Sequence, residues 1–135
     1  MAGEPVRVLL VEDSAGNARL TEIVLSKARP GAFAVFHAQS LGAALGRLAA
    51  ERFDAVLLDL GLPDSDGLDT LVRVRQSAPR VPIIVLTGFG DEELGESILR
   101  SGAQGFLVKG QAGTQALVQA VLQAVERLGG ATAAP

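Results

Sequence analysis

The sequence predicts an α/β fold, a doubly wound parallel sheet of five strands with helices on both faces. Five short apolar runs alternate with longer stretches of helical periodicity, and this alternation is typical of parallel strands joined by helices. Most of the runs are apolar at successive positions, as in strands that are buried on both faces. A length of 135 residues corresponds to one domain.

Five runs rich in apolar and β-branched residues predict the strands. In chain order they cover residues 6–11, 33–36, 55–58, 82–86 and 105–108. The second run is the weakest, and the only histidine of the chain, His37, follows it directly. We expect a structural role for His37, because it stands at the end of a strand.

The stretches between the runs repeat apolar residues every three or four positions, which predicts amphipathic helices. The first repeat consists of Leu20, Ile23, Val24 and Lys27, and the later repeats begin at Leu41, Leu68, Leu94 and Leu117. Ser40 precedes the second repeat and is a predicted N-cap. Acidic residues 91–93 precede the fourth repeat, where the helix dipole favours them. Residues 78–79 end the third helix, because a proline disfavours helical backbone before it.

The last helix is predicted to end at Gly129 and Gly130, which divides the chain into a domain of residues 1–128 and a disordered tail, 129–135. The outward side of this helix carries almost no charge. It consists of Gln115, Ala116, Gln119, Ala120 and Gln123, with Leu122 at its border. Solvated helix faces usually carry charge, so we expect a partner here, which is either a second copy of the chain in a homodimer or a different protein.

Composition argues against several classes of protein. The net charge of −3 and the isoelectric point near 5.1 argue against a nucleic-acid-binding protein. The absence of cysteine excludes a disulfide scaffold and a thiolate zinc site. No run approaches 18 consecutive apolar residues, so no membrane span is predicted, and we expect a soluble cytoplasmic protein.

Acidic, hydroxyl and basic side chains stand at the ends of four predicted strands. Glu12 and Asp13 follow the first strand, Asp59 the third, Thr87 the fourth and Lys109 the fifth. Ligands of such sheets bind outside the carboxyl ends of the strands, near the point where the strand order reverses. Each residue alone has a structural explanation as a cap or turn residue, but the five together predict a functional site.

The residue types of this set favour phosphoryl chemistry with a divalent metal ion. Two carboxylates ~4 Å apart repel each other by on the order of 4 kcal/mol at an effective dielectric constant near 20. A bound cation removes that repulsion, and a site made of oxygen atoms suits Mg²⁺. Mg²⁺ also neutralises a phosphoryl group during displacement. Lys109 would add a second positive charge, and Thr87 would donate a hydrogen bond from its hydroxyl group.

From about residue 6 to residue 128, the chain resembles the receiver domain of two-component response regulators. The resemblance lies in residues 8–13, 59–67, 86–88 and 102–109, and it includes the spacing of aspartate, proline and glycine after the third strand. It implies a flavodoxin-like (βα)5 fold. In a chain of one domain, it also implies a stand-alone response regulator that acts as the messenger itself.

The resemblance implies a role for each acidic residue of the site. Asp59 would accept a phosphoryl group from the phosphohistidine of a sensor histidine kinase. Asp13, Asp59 and the backbone carbonyl of Gly61 would bind Mg²⁺. Glu12 would act mainly through a metal-bound water.

The resemblance also implies a two-state switch. Lys109 would contact the phosphoryl group, Thr87 would move towards it, and Phe106 would turn inward. Such a protein is not an enzyme but a phosphoacceptor that assists its own phosphorylation and dephosphorylation. It would then bind a downstream target protein or pass the phosphoryl group to a histidine phosphotransfer protein. The chain departs from the family at Gly110, where a cis-proline is common, and at Phe106, which lacks the hydroxyl group of tyrosine.

Other functions stay open at this point. The strongest alternative is a receiver fold that binds a partner without phosphorylation. A phosphatase of the haloacid dehalogenase type needs a second aspartate two residues after its nucleophile, where this chain has Gly61. A dinucleotide or flavin binder needs a glycine-rich or hydroxyl-rich loop after the first strand. Glu12 and Asp13 stand there instead and would repel a pyrophosphate. Residues 64–67 resemble part of a calcium loop, but they predict a turn into the third helix.

Overall fold

A computed structural model describes residues 4–65, 67–87, 92–108 and 114–133 of the chain. The strands are β1 (Val6–Val11), β2 (Phe33–Ala38), β3 (Ala55–Asp59), β4 (Ile83–Thr87) and β5 (Gly105–Val108). The helices are α1 (Ala15–Ala28), α2 (Leu41–Ala50), α3 (Gly67–Ser77), α4 (Glu92–Arg100) and α5 (Thr114–Ala133). The predicted alternation of strands and helices is confirmed.

The five strands form one parallel sheet in the order β2-β1-β3-β4-β5. The order reverses at β1, because β2 pairs with one edge of this strand and β3 with the other. All strands run in the same direction, so their carboxyl ends lie at one edge of the sheet. The predicted doubly wound parallel sheet is confirmed.

Successive side chains of β1 enter two separate cores, as the alternation of side chains along a strand requires. Leu9 and Val11 lie in the first core, and Val8 and Leu10 lie in the second. The first core contains buried residues of α2, α3 and α4: Leu41, Ala44, Leu71, Val74 and Ile98. The second contains buried residues of α1 and α5: Ala18, Leu25, Val118, Val121 and Ala124. Burial on both faces explains why the strands read as continuous apolar runs.

The apolar repeat of α1 is not the buried face of this helix, contrary to the prediction. Leu20 is 63% exposed and Ile23 is 38% exposed, whereas Ala18 and Leu25 are buried. The helix packs against both β2 and α5. The small Ala18 and the larger Leu25, two turns apart, fill this space together. The positions of the large apolar residues therefore did not identify which face of α1 is buried.

Helix α5 is longer than predicted, because it continues through Gly129 and Gly130 to Ala133. Glycine costs a helix interior about 1 kcal/mol relative to alanine, which weakens a helix without ending it. Alanine, the strongest helix former, follows at positions 131 and 133. The separation of residues 129–135 as a tail stays a prediction.

Arg75, on α3, joins three segments at the amino-terminal edge of the sheet. The five N–H groups of its guanidinium make six contacts of 2.6–3.1 Å with hydrogen-bond acceptors, so one N–H on Nη1 is shared between two carbonyl oxygens. The acceptors are the carbonyl oxygens of Ala78, Pro79, Val81 and Gly102 and the side-chain oxygen of Gln104. Gln104 also accepts from the Ile83 N–H, at the start of β4. Burial lowers the pKa of the Arg75 guanidinium group below its usual value.

None of the described helices is long and apolar enough to cross a membrane.

Candidate functional site

Three carboxylates converge where the strand order reverses. Glu12 and Asp13 directly follow β1, and Asp59 is the last residue of β3, the neighbouring strand. One ligand oxygen from each residue lies within 4.8 Å of the other two. Glu12 is 2% exposed, Asp59 is half-buried, and Asp13 is exposed to solvent. The structure thus brings together the three acidic residues that the strand ends indicated.

His37 supports the backbone at Glu12. Its Nε2 lies 2.6 Å from the carbonyl oxygen of Glu12, and since a carbonyl oxygen only accepts, Nε2 carries the hydrogen. The N–H group of Glu12 donates to the carbonyl oxygen of Ala38 at 3.0 Å. These bonds fasten the end of β1 to the end of β2, which agrees with the structural role expected for His37.

The carboxylate of Glu12 is oriented by the first turn of α1. The Ser14 N–H donates to Oε2 of Glu12 at 3.3 Å. Ser14 is also the N-cap of α1, because its Oγ accepts a hydrogen bond from the Asn17 N–H at 3.2 Å. The buried acidic side chain is thereby held at a capped helix start.

The loop after Asp59 is held at three places. The Gly61 N–H donates to Oδ1 of Asp59 at 2.9 Å, which forms a tight turn of the kind that aspartate favours. Leu60 and Leu62 are buried in the first core. Asp64 accepts from the first two N–H groups of α2. The segment from Asp59 to Asp64 therefore has a fixed conformation next to the candidate site.

Asp64 binds the amino terminus of α2. Its Oδ1 accepts from the Leu41 N–H at 2.9 Å, and its Oδ2 accepts from the Gly42 N–H at 3.0 Å. The predicted N-cap, Ser40, is confirmed, because its Oγ accepts from the Ala43 N–H at 3.1 Å. The hydrogen bonds from Gly42 and Leu41 lower the pKa of the Asp64 carboxyl group below 3.8.

The remaining predicted site residues are described in part. Thr87 ends β4, one residue beyond Leu86, which is paired with Asp59 across the sheet. Val108, the last residue of β5, is paired with Thr87. Lys109 is the next residue along the chain and lies outside the described residues, as does Gly110.

Phe106 lies on β5 and is half-buried against the first core. Its ring rests on the backbone of α4 at Gly95. A Cβ atom built on Gly95 would lie 2.7 Å from Cε1 of Phe106, and closer still to Cζ. The ring therefore occupies the space that a side chain at position 95 would need.

The acidic group, which consists of the carboxylates of Glu12, Asp13 and Asp59, fits Mg²⁺, the metal that the sequence predicts. All its donors are carboxylate oxygens, the ligands that Mg²⁺ prefers over nitrogen or sulfur. Three acidic groups at this separation repel one another, and a divalent cation would offset that repulsion. Glu12, Asp13 and Asp59 are therefore the residues that could hold the ion.

Comparison with known proteins identifies the family. A family model described as the response regulator receiver domain matches residues 8–122. The chain is 37% identical over 123 residues to the gliding motility regulatory protein of Myxococcus xanthus, an alignment that covers 89% of this chain and 15% of that protein. It is 28% identical over 109 residues to the transcriptional regulatory protein ZraR of Klebsiella oxytoca, covering 81% of this chain and 24% of ZraR. The chain thus spans less than a quarter of the length of these relatives.

Solved structures agree with this result. The signal receiver domain of an HD domain-containing protein from Pseudomonas fluorescens Pf-5 superimposes with a TM-score of 0.82 at 28% identity, covering 94% of this chain and 99% of that one. A CheY-like receiver domain protein from Methanospirillum hungatei JF-1 shares the fold, with a TM-score of 0.82 at 23% identity, covering 95% and 99% of the two chains. The chain belongs to the response regulator receiver domain family.

Proposed function

We propose that Asp59 accepts a phosphoryl group from the phosphohistidine of a sensor histidine kinase, in a reaction that depends on Mg²⁺. The observation that carries this proposal is the convergence of Glu12, Asp13 and Asp59 at the reversal of the strand order. This convergence supports the proposal, because it places the acceptor carboxylate beside carboxylates that could hold Mg²⁺.

The side chains have separate roles in this reaction. Asp13, Asp59 and the Gly61 carbonyl would hold Mg²⁺, with Glu12 acting through a bound water. When bound, the ion neutralises negative charge on the carboxylates and on the incoming phosphoryl group. A carboxylate oxygen of Asp59 forms the new bond to phosphorus as the bond between phosphorus and the kinase imidazole breaks. The Gly61 N–H, which donates to Oδ1 of Asp59, keeps this carboxylate oriented.

Two further residues would respond to the phosphoryl group. The Lys109 ammonium group would attract the phosphoryl oxygens as a point charge. The Thr87 hydroxyl group would donate a hydrogen bond to one of them. Phe106, on the neighbouring strand, would then turn inward as Thr87 moves. Phosphorylation would shift a two-state equilibrium whose output is the surface around α4 and β5.

The protein is, on this proposal, a cytoplasmic phosphoacceptor that assists its own phosphorylation and dephosphorylation, and not an enzyme. It either binds a downstream target protein or passes the phosphoryl group to a histidine phosphotransfer protein. We assign no nucleic-acid contact to this chain, since its net charge is −3. A regulator of transcription such as ZraR extends well beyond the part that this chain matches.

We also propose that the outer face of α5 binds a second copy of the chain. Gln115, Ala116, Gln119 and Gln123 are exposed there and carry no charge, which supports the proposal. Ala120 and Leu122 pack against the second core, so a substitution of Leu122 would alter folding as well as this face. Sedimentation of the phosphorylated and unphosphorylated protein tests the proposal, and a monomer in both states would contradict it.

The phosphoacceptor proposal is tested by the intact mass of the protein after incubation with Mg²⁺ and acetyl phosphate. We expect a gain of one phosphoryl group, its loss in Asp59→Asn, and its loss on addition of a chelator. Asp54→Asn is a matched control, because Asp54 is exposed and lies at the start of β3, the end opposite to the site. An unchanged gain in Asp59→Asn would contradict the proposal. No gain, either with acetyl phosphate or with the cognate kinase, would favour a binding module without phosphorylation.

A further inference from the structure

The amino terminus of α2 uses two different kinds of cap. Ser40, from its own chain segment, satisfies the Ala43 N–H. Asp64, 22 to 23 positions further along the chain, satisfies the Leu41 and Gly42 N–H groups. Local capping is sufficient to start a helix, and water can satisfy the remaining N–H groups of a helix end. The contact with Asp64 therefore has an effect beyond starting α2, because it fixes a distant loop.

That loop is the segment that follows Asp59. Only four residues separate Asp59 from Asp64, and Gly61 lies between them. At its first end, the segment is held by the hydrogen bond from Gly61 to Asp59. At its second end, it is held by the two bonds from α2 to Asp64. The backbone of Gly61 thus lies between these two hydrogen-bonded ends, with the buried side chains of Leu60 and Leu62 on either side of it.

Burial does not explain the position of Asp64. The residue is exposed, and so is Gly42. A Cβ atom on Gly42 would lie at an ordinary contact distance of 3.6 Å from Oδ2 of Asp64, so the backbone of α2 approaches the carboxylate closely. Both oxygens of an exposed side chain are used in bonds to one helix end, and this geometry fixes the backbone around residue 64 in both position and direction.

We propose that Asp64 is a positioning residue for the metal site: by binding the start of α2, it holds the loop that carries Gly61, whose carbonyl group would bind Mg²⁺. This inference rests on the proposed function. Residues that orient metal ligands without touching the metal commonly change metal affinity by about 10-fold to 100-fold when they are replaced. Loss of the Asp64 contact would weaken Mg²⁺ binding, while the three carboxylates stay in place.

The test is a titration with Mg²⁺ followed by the backbone amide resonances of the uniformly ¹⁵N-labelled protein. We expect Asp64→Ala to raise the dissociation constant for Mg²⁺ by about tenfold, and Asp64→Asn to raise it less, because its amide oxygen still accepts one hydrogen bond. Phosphorylation by acetyl phosphate should slow at limiting Mg²⁺ and recover at saturating Mg²⁺. A purely structural role would not produce that recovery.

Asp54→Ala is the matched control. Asp54 also accepts a backbone hydrogen bond, from the Arg7 N–H at 2.8 Å, but at the other end of β3. Circular dichroism of each variant checks that the fold is kept, and Asp64→Asn serves as the test if Asp64→Ala does not fold. A dissociation constant in the Asp64 variants equal to that of Asp54→Ala would overturn the inference. A wild-type protein that neither binds Mg²⁺ nor accepts a phosphoryl group would instead overturn the proposed function.

Discussion

The ring of Phe106 lies against Gly95 on α4, and it fits there because glycine has no side chain. A glycine in a helix interior costs about 1 kcal/mol relative to alanine. Here the absent side chain leaves the space that the ring occupies. The packing of β5 against α4 therefore depends on a residue that weakens the helix itself.

This match predicts opposite effects of one substitution in two backgrounds. In the wild-type protein, we expect Gly95→Ala to lower the free energy of unfolding by about 1–3 kcal/mol, because the new methyl group overlaps the ring. In a Phe106→Ala background, the same substitution should raise it by up to about 1 kcal/mol, because alanine is the better helix former. Urea denaturation of the four proteins measures both changes.

Gly46→Ala is the control for this experiment. Gly46 lies on α2, is exposed, and has open space where a Cβ atom would stand. The substitution should raise the free energy of unfolding in both backgrounds. The same sign for Gly95→Ala in both backgrounds would show that the ring does not occupy this space.

At the level of elements, the start of α2 connects the stability of the protein to pH through Asp64. The N–H groups of Gly42 and Leu41 lower the pKa of this carboxyl group from its usual value of 3.8. The folded protein therefore keeps Asp64 ionised at a pH where the unfolded chain protonates it. Its contribution to stability is complete above 3.8 and is lost as the pH falls through the lower pKa of the folded state.

The prediction compares the wild-type protein with Asp64→Asn over this range. The difference between their free energies of unfolding should be constant near neutral pH and should shrink below pH 3.8. Urea denaturation at a series of pH values measures it. If the difference grows as the pH falls, Asp64 does not bind α2 as an ionised carboxylate.

Elements that follow local rules were predictable from the sequence. Both β1 and β5 have the predicted bounds, and Ser40 caps α2, because apolar runs and N-caps depend on neighbouring residues. The inward face of α1 was not predictable in this way. It depends on how α1 packs against β2 and α5, which buries Ala18 and Leu25 and leaves Leu20 exposed.

The same distinction applies to the site. Glu12, Asp13 and Asp59 were indicated because the carboxyl ends of parallel strands share one edge of the sheet. The contacts of Asp64 with the start of α2 and of His37 with Glu12 were not predicted from the sequence. Their partners, the start of α2 and the carbonyl group of Glu12, lie 22 to 25 residues away in the chain. Only the three-dimensional arrangement brings such pairs together.

For the whole molecule, the acidic group predicts that Mg²⁺ stabilises the fold. A ligand that binds only the folded state at 100 times its dissociation constant adds about 2.7 kcal/mol to the free energy of unfolding. We expect this gain in the wild-type protein and its loss in Asp13→Asn. Without Mg²⁺, Asp13→Asn should be the more stable protein, because one of three repelling charges is removed.

Thermal denaturation with and without Mg²⁺ measures both effects. Asp69→Asn, an exposed acidic position on α3, should keep the full response to Mg²⁺. An equal stabilisation of Asp13→Asn and of the wild-type protein by Mg²⁺ would show that the ion binds at a site that does not include Asp13.

The hydrogen bonds of Arg75 have a mechanical consequence for α4. The turn after this helix is fixed, because Gly102 and Ala103 donate to the helix carbonyls of Leu99 and Ile98, and the Gly102 carbonyl accepts from Arg75. The nine residues of α4 span about 13 Å at 1.5 Å per residue. A rotation of about 10° around the fixed end would move the other end by about 2 Å. Arg75 thus holds the turn at the carboxyl end of α4, so a tilt of the helix about this turn would displace its amino-terminal end the most.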